Sequence, residues 1–158
     1  MSHIFYLGFT IALLGLDRLS KWWVFTRMDI GRPQPLIGNT IRLVRVHNDG
    51  GAFGILRGNS TLFLVVSSLV SVGILVMLFS RKVESAWARF GLSVILAGAI
   101  GNLIDRAMWG YVLDFFEFRG FPVFNLADAC ITVGAGIVIV AMLFGGERHR
   151  PSGEADRV

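Results

Sequence analysis

Two aspartates stand in otherwise apolar parts of the chain. Asp114 lies within YVLDFF and Asp128 follows FNLA, and neither has a cation within helical reach in its own sequence. Two carboxylates brought together in a partly dry site cannot both ionise easily, so the pair shares one proton. One can then take a proton from water while the other protonates or hydrogen-bonds a scissile carbonyl, as in aspartic proteases. Position alone leaves catalysis, proton transfer and a structural role all open.

Further polar residues interrupt apolar segments. Asp17 and Lys21 are four residues apart and share a helix face, which predicts a structural ion pair. Arg18 is expected to reach the membrane interface by snorkelling. Asp105 and Arg106 end another apolar segment, where a structural role and a substrate-orienting role are both open. Two asparagines complete the set: Asn102 and Asn125.

Other catalytic chemistries lack the residues they need. No GxSxG motif occurs, and no apolar segment holds a histidine that could activate a serine. Cys130 lies two residues from Asp128, about 200° around a helix, so it is expected to be a small packing residue. The three histidines are far apart and form no CxxC or HExxH pattern, so neither a metal nor another cofactor is expected.

The elements that must position these residues are membrane helices. The chain has 158 residues, of which 54% are hydrophobic and 16% charged, whereas soluble domains carry about 25% charged residues. This composition excludes a soluble or disordered protein. The net charge of +4 is scattered, without a basic stripe, which excludes a nucleic-acid partner. Four segments approach the roughly 20 apolar residues that a membrane-spanning helix needs: 3–25, 61–80, 87–108 and 124–146.

The expected fold is an all-α integral membrane protein, a four-transmembrane-helix bundle forming one domain over residues 1–146. The loop 26–59, between helices 1 and 2, contains the β-branched run TIRLVRV and several glycines, which predict a small β-element on the membrane surface. Residues 147–158 form a polar tail. Because successive helices alternate in direction, the buried polar residues fall at one end of the bundle. Lys and Arg number six on each side, so their distribution does not decide the orientation.

Five short motifs, in order, resemble those of the signal peptidase II family, the lipoprotein signal peptidases of bacteria. The resemblance covers the chain from Asp17 to about Ile131, and its motifs are specific in number and order. They are DRLSK, NDGGAFG, GAIGNLIDR, VLDF and FNLAD. They are similar to D-x-x-x-K, N-x-G-A-A-F-[SG], G-x-x-G-N-x-x-D-R, V-x-D-F and F-N-x-A-D.

The resemblance implies an intramembrane aspartic endopeptidase. It would remove signal peptides from prolipoproteins by cleaving before a diacylglyceryl-modified cysteine, with Asp114 and Asp128 as the catalytic pair. It implies substrate binding by Asn48, Asn102, Arg106 and Asn125. It implies structural support of the site by Asp17, Lys21, Gly50, Ala52, Asp105 and Ala127.

The same resemblance implies a location and partners. The protein would lie in the bacterial cytoplasmic (inner) membrane with both termini cytoplasmic, and with the site and the β-element facing the periplasm or cell exterior. Its partners would be diacylglyceryl-modified prolipoproteins, membrane lipid and globomycin-type inhibitors, and a monomer is expected.

The sequence departs from the family motifs at two positions, and two functions other than peptidase remain open. Arg18 stands where the family commonly has glutamine, and Gly51 where alanine is usual. One rival is a proton-coupled transporter or channel in which Asp114 and Asp128 relay protons. The other is a non-catalytic scaffold, which leaves the buried carboxylates unexplained. Proton flux in vesicles separates the transporter from the others, and precursor processing separates the peptidase.

Overall fold

Four helices and a three-stranded sheet make up the residues that the structure, a computed structural model, describes: 3–51, 58–80 and 82–145. The helices are α1 (His3–Arg27), α2 (Ser60–Phe79), α3 (Ala86–Trp109) and α4 (Leu126–Gly145). The strands are β1 (Gln34–Ile37), β2 (Ile41–Asn48) and β3 (Val112–Phe118). Ala52 and the predicted tail at 147–158 lie outside the described residues.

The helices coincide with the four predicted apolar segments, but they differ in apolar character. In the described part of the chain, α2, α3 and residues Leu126–Phe144 of α4 are long and apolar enough to cross a membrane. The 25-residue α1 is not among them, since Asp17, Arg18 and Lys21 lower the hydropathy of its second half. Length and composition therefore support three spans rather than the four that were predicted.

α3 lies at the centre of the bundle and packs against the other three helices. At glycines of α3 the backbone of α4 comes close to the backbone of α3. A Cβ on Gly98 would collide with the carbonyl oxygen of Ala127, and a Cβ on Gly91 would lie 2.8 Å from that of Gly134. Helices in lipid associate through such close packing at small residues, because the hydrophobic effect does not drive them together there. It brings the first turn of α4 against the middle of α3.

The three strands form an antiparallel sheet in the order β1-β2-β3. The predicted TIRLVRV run corresponds to β2. Arg42 of β2 faces Glu117 of β3 and donates two hydrogen bonds to its carboxylate, at 2.9 and 2.8 Å. β3 lies between α3 and α4, so the β-element is not confined to the loop between helices 1 and 2, and this corrects the all-α expectation. Its sequence shows no alternation because Val112 to Phe115 are all buried, on both faces of the strand.

A tight turn leads from α3 into β3. Gly110 has φ +75°, in the left-handed region that favours glycine, and its N–H closes the last helical turn with a 3.0 Å bond. Next to this turn the rings of Phe25, Trp109 and Tyr111 stack in succession, at 5.7 and 6.0 Å between centroids. His47 of β2 stacks on Tyr111 at 4.0 Å. The stack ties the sheet to the ends of α1 and α3, next to the strand that carries Asp114.

Candidate active site

Asp114 and Asp128 line one cavity at the junction of β3 and α4. Asp114 lies within β3 and is 2% exposed, and Asp128 lies in the first turn of α4. Between them the chain turns back on itself, and Phe116 donates its N–H to the carbonyl of Phe124 at 2.8 Å. The cavity has a volume of about 490 Å³ and a mainly apolar wall. It therefore brings together the two carboxylates on which the sequence-based hypothesis depends.

Three asparagine side chains donate hydrogen bonds to the two aspartates, and two of the three also join them. Asn125 donates to Asp114 Oδ1 at 2.7 Å, and Asn48 donates to its other oxygen at 2.9 Å. Asn102 donates to Asp128 Oδ1 at 2.7 Å and accepts a second bond from Asn125 at 3.1 Å. Both carboxylates are thus held through side-chain amides, and the chain Asp114–Asn125–Asn102–Asp128 fixes their relative orientation.

Asn125 also caps α4. Its side-chain oxygen accepts the N–H of Asp128 at 2.9 Å, while Asp128 Oδ2 accepts the N–H of Asn125 at 3.1 Å. This reciprocal pair is a capping box, in which two donors of the first helical turn find side-chain partners. The cap uses Oδ2 of Asp128, so Oδ1 is the oxygen that accepts the hydrogen bond from Asn102. The sequence signal was present as N-x-x-D before an apolar run, but the sequence analysis did not identify it as a helix cap.

Four charges, three of them buried and the fourth, Arg18, partly exposed, lie next to this network and neutralise one another. Lys21 Nζ lies 3.2 Å from Asp17 and 2.8 Å from Asp105, and these three side chains are 2% exposed or less. Arg18 lies 2.7 Å from Asp17 and 2.6 Å from Asp105, and also donates to the carbonyl of Gly101. The expectation that Arg18 snorkels to the interface is therefore wrong. Its guanidinium turns inward because two carboxylates and the carbonyl oxygen of Gly101 accept hydrogen bonds from it there.

We call Asp17, Arg18, Lys21 and Asp105 the charge cluster. Its two acids also accept hydrogen bonds from backbone N–H groups. Asp17 accepts the N–H of Ala127 at 3.1 Å. Asp105 accepts the N–H of Leu113 at 3.2 Å. Ala127 and Leu113 are the residues immediately before Asp128 and Asp114. Lys21 adds a third tie, since it donates to Asn102 at 3.1 Å.

Arg106 extends into the cavity from the end of α3. It donates to the carbonyl of Gly50 at 3.1 Å, and its guanidinium lies 5.0 Å from the centre of the Phe63 ring. Its buried Nε has no partner within the described residues. Gly50 in turn donates to Asn48 Oδ1 at 3.0 Å. The site therefore holds a guanidinium with donor capacity left over, next to two carboxylates.

Burial raises the pKa of Asp114 to about 7, and the nearby charge of Asp128 acts in the same direction. The hydrogen bonds from Asn48 and Asn125, and the charge of Lys21, act in the opposite direction. A carboxyl group with this pKa can hold or release a proton near neutral pH, as a general acid or base must.

The described part of the chain contains no group of three or more His, Cys, Asp or Glu residues that could hold a metal ion. Cys130 is a buried free thiol in α4 and is absent from the cavity lining described above. The chemistry of the site thus rests on carboxyl, amide and guanidinium groups.

Comparison with known proteins identifies the family of the chain. The family model for signal peptidase (SPase) II matches residues 9–144. The chain is 40% identical to the lipoprotein signal peptidase of Clostridioides difficile over 92% of this chain and 99% of the relative. It is 37% identical to that of Brevibacillus brevis, over 88% and 95%. A solved structure of a bacterial membrane enzyme at 2.3 Å resolution superposes with a TM-score of 0.86 at 26% identity, covering 95% and 94% of the two chains. The chain belongs to the signal peptidase II family.

Proposed function

We propose that this chain is an aspartic endopeptidase that removes signal peptides from prolipoproteins by cleaving before a diacylglyceryl-modified cysteine. The observation that carries the proposal is the pair Asp114 and Asp128, brought from β3 and α4 into one cavity and joined through asparagines. The relatives named lipoprotein signal peptidase support the substrate class.

The two carboxyl groups share one proton in the proposed reaction. The ionised carboxylate takes a proton from water, and the water oxygen attacks the carbonyl carbon of the scissile bond. The protonated carboxyl gives its proton to the carbonyl oxygen. When the tetrahedral intermediate collapses, the carbon–nitrogen bond breaks and the leaving nitrogen takes the proton first removed from water. One hydroxyl of the intermediate returns its proton to the other carboxylate, which restores the shared proton and leaves a carboxylic acid product. No metal is needed at any step.

Arg106 and Asn48 suit the task of holding an extended peptide. Both line the cavity beside the carboxylates, and Arg106 Nε is a donor that no described residue satisfies. Carbonyl groups of a peptide entering a mainly apolar cavity lose water and need such donors. Asn48 also donates to Asp114. Asn102 and Asn125 donate to the aspartates too, but these two asparagines are absent from the cavity lining described above, so their role is to orient the carboxylates.

We further propose that all four helices cross the bacterial inner membrane. The charges of α1 are compatible with a span, because Asp17, Arg18 and Lys21 pair with one another and with Asp105 of α3. Four spans put both termini on the same side of the membrane. By resemblance to the family we propose that this side is cytoplasmic, with the sheet and the aspartates at the outer surface. Such a position lets a lipid-anchored cysteine present its peptide bond while the lipid stays in the bilayer. The enzyme would act as a monomer and bind globomycin-type inhibitors in the same cavity.

A proton-coupled transporter is not favoured. The buried charges of the described chain gather around the aspartates, at one end of the helices. A proton pathway needs polar groups through the whole depth of the membrane.

The decisive test is cleavage of a synthetic precursor by purified protein in lipid. One peptide carries a diacylglyceryl group on its cysteine, and a second has the same sequence without lipid. We expect cleavage of the lipidated peptide before the cysteine, and loss of cleavage in both Asp114→Asn and Asp128→Asn. A folded wild-type protein that cleaves neither peptide, or an aspartate variant with near-native turnover, would contradict the proposal.

A further inference from the structure

A second and larger cavity lies away from the aspartates, along the lipid-facing side of α4. Its volume is about 1150 Å³, and its walls come from the start of α3 and the C-terminal half of α4. We call it the α4 groove. Its lining is apolar except at the end formed by the start of α3. The residues that matter here are Glu84, Trp87, Val133, Gly136, Val140 and Phe144.

The α4 groove continues the cavity that holds the aspartates. Val133 lines both, and Asp128 and Ala129 line the aspartate cavity one turn earlier in α4. Val133, Gly136, Val140 and Phe144 follow at spacings of three and four, so they lie on one face of the helix. From Asp128 to Phe144 this face rises about 24 Å, at roughly 1.5 Å per residue. An apolar track thus runs from the aspartates to the far end of α4.

Glu84 is the acidic side chain among the residues that line the groove, and it lies at that far end. Glu84 lies just before α3 and is exposed, and within the described residues it makes no ion pair. Lys82 is two residues away but does not line the groove. A carboxylate with no cationic partner among the described residues, at the end of an apolar groove, is suited to a cationic group at the end of an apolar helix.

We propose that the α4 groove binds the signal peptide of the precursor as a helix antiparallel to α4, with its basic N-terminal residues against Glu84. A signal peptide has a positively charged start and an apolar stretch of about 7–15 residues, which as a helix spans roughly 10–22 Å. That length fits the track between the aspartates and Glu84. The proposal rests on the peptidase function proposed above, because the scissile bond at the end of the signal peptide must lie at the aspartates.

Gly136 provides room for a helix to approach. A Cβ built at this position meets no atom within 4 Å, although the residue lies in the groove wall. A helix without a side chain at such a point allows close backbone contact with a partner helix in lipid. A single acyl chain could contact the same apolar wall, but it carries no cation to pair with Glu84. Dependence on the charge of Glu84 therefore distinguishes a signal peptide from an acyl chain.

A charge swap tests the contact with Glu84. Two lipidated precursor peptides share one apolar stretch and differ at the N-terminus, with two lysines or two glutamates. A short lipidated peptide lacks both regions. For Glu84→Lys we expect an increase in KM for the lysine peptide of about two- to fivefold, typical of an exposed ion pair, with kcat unchanged. The glutamate peptide should regain the lost affinity, and cleavage of the short peptide should be unaffected.

Lys82→Gln is the control for general charge effects, since it alters the same loop without touching the groove. We expect it to leave the preference for the lysine peptide unchanged. A preference that follows the net charge of the loop in both variants, or that is unaltered by Glu84→Lys, would overturn the contact with Glu84.

Gly136→Leu tests the groove itself, with Gly73→Leu as the matched control. Gly73 lies on the exposed side of α2, and a Cβ there also meets no atom within 4 Å. Filling the groove should lower kcat/KM for the long precursor several-fold and spare the short peptide, whereas the control should spare both. Equal cleavage of the long precursor by both variants would overturn the proposal and leave bulk lipid as the occupant. Absence of cleavage of every lipidated peptide by wild type would instead refute the peptidase function itself.

Discussion

The carboxylate of Asp105 accepts the backbone N–H of Leu113, the residue immediately before Asp114, at 3.2 Å. Asp17 does the same for the residue before Asp128. Lys21 lies between these two acids, 2.8 Å from Asp105 and 3.2 Å from Asp17. The separation of the two proposed catalytic carboxylates is therefore set by a cluster of charges that touches neither of them.

Lys21→Met should weaken the two hydrogen bonds by which Asp105 and Asp17 hold the backbone next to the aspartates. Lys21 is 1% exposed, and removing one partner of a buried ion pair costs about 3–5 kcal/mol, because a carboxylate is left buried without full compensation. We expect a large drop in thermal stability together with loss of cleavage. Thermal unfolding in detergent and the precursor assay measure the two effects.

The exposed pair Arg32–Asp29, at 3.2 Å, supplies the control for this experiment. Its side chains are 81% and 73% exposed, so Arg32→Gln should change stability by less than about 1 kcal/mol. A Lys21→Met protein as stable as Arg32→Gln would contradict the coupling.

Asn125→Ser should separate the helix cap from the orientation of Asp114. Serine is a good N-cap, so α4 should keep its first turn, and the variant should lose less stability than Asn125→Ala. Serine cannot replace the amide that donates to Asp114 at 2.7 Å. A hydrogen bond to a charged group contributes about 1.5–3 kcal/mol, so we expect kcat to fall roughly 10- to 100-fold.

Steady-state kinetics on the lipidated peptide measure this effect, and Asn125→Ala, which removes both functions, should lose stability as well. Wild-type kcat in the serine variant would show that the amide is not needed.

The positions of the helices were predictable because apolar runs of this length have few other structures open to them. The ion pair of Asp17 and Lys21 follows from their spacing alone. β3 was missed, since a strand buried on both faces lacks the alternation by which strands are recognised. Yet β3 carries Asp114, so the element that positions half of the site was the one that periodicity could not reveal.

The inward turn of Arg18 also escaped prediction. An arginine near a helix end has two outcomes, snorkelling to water or pairing inside, and the choice depends on acids from other helices. Here the deciding acid is Asp105, 87 positions along the chain. Spacing within one helix cannot identify such a partner. The five motifs likewise located Asp114 and Asp128 in the chain, but they did not show that asparagine side chains link the two by hydrogen bonds.

The pH dependence of cleavage should report Asp114. Its pKa is raised to about 7 by burial and by Asp128, so the shared proton is held below this pH and lost above it. The mechanism needs one protonated carboxyl, and kcat/KM should therefore fall as pH rises through about 7. The bond from Asn48 favours the ionised form of Asp114, so in Asn48→Ala the alkaline limb should move to higher pH.

Activity profiles of wild type and Asn48→Ala on the same lipidated peptide check both statements. An alkaline limb that stays in place in the variant, or moves to lower pH, would show that Asp114 is not the group that titrates.

Gly98→Ala should damage the site through the backbone. A Cβ at this position would collide with the carbonyl oxygen of Ala127, and that atom belongs to the first turn of α4 rather than to a flexible side chain. Relief requires α4 to move away from α3, at a cost of about 1–3 kcal/mol, and this movement shifts Asp128 from Asn102. Gly73→Ala, where a Cβ meets no atom within 4 Å, should be neutral or slightly stabilising. Thermal unfolding and kcat for the two variants decide the point: equal values would mean that the close contact of α3 with α4 does not position the aspartate.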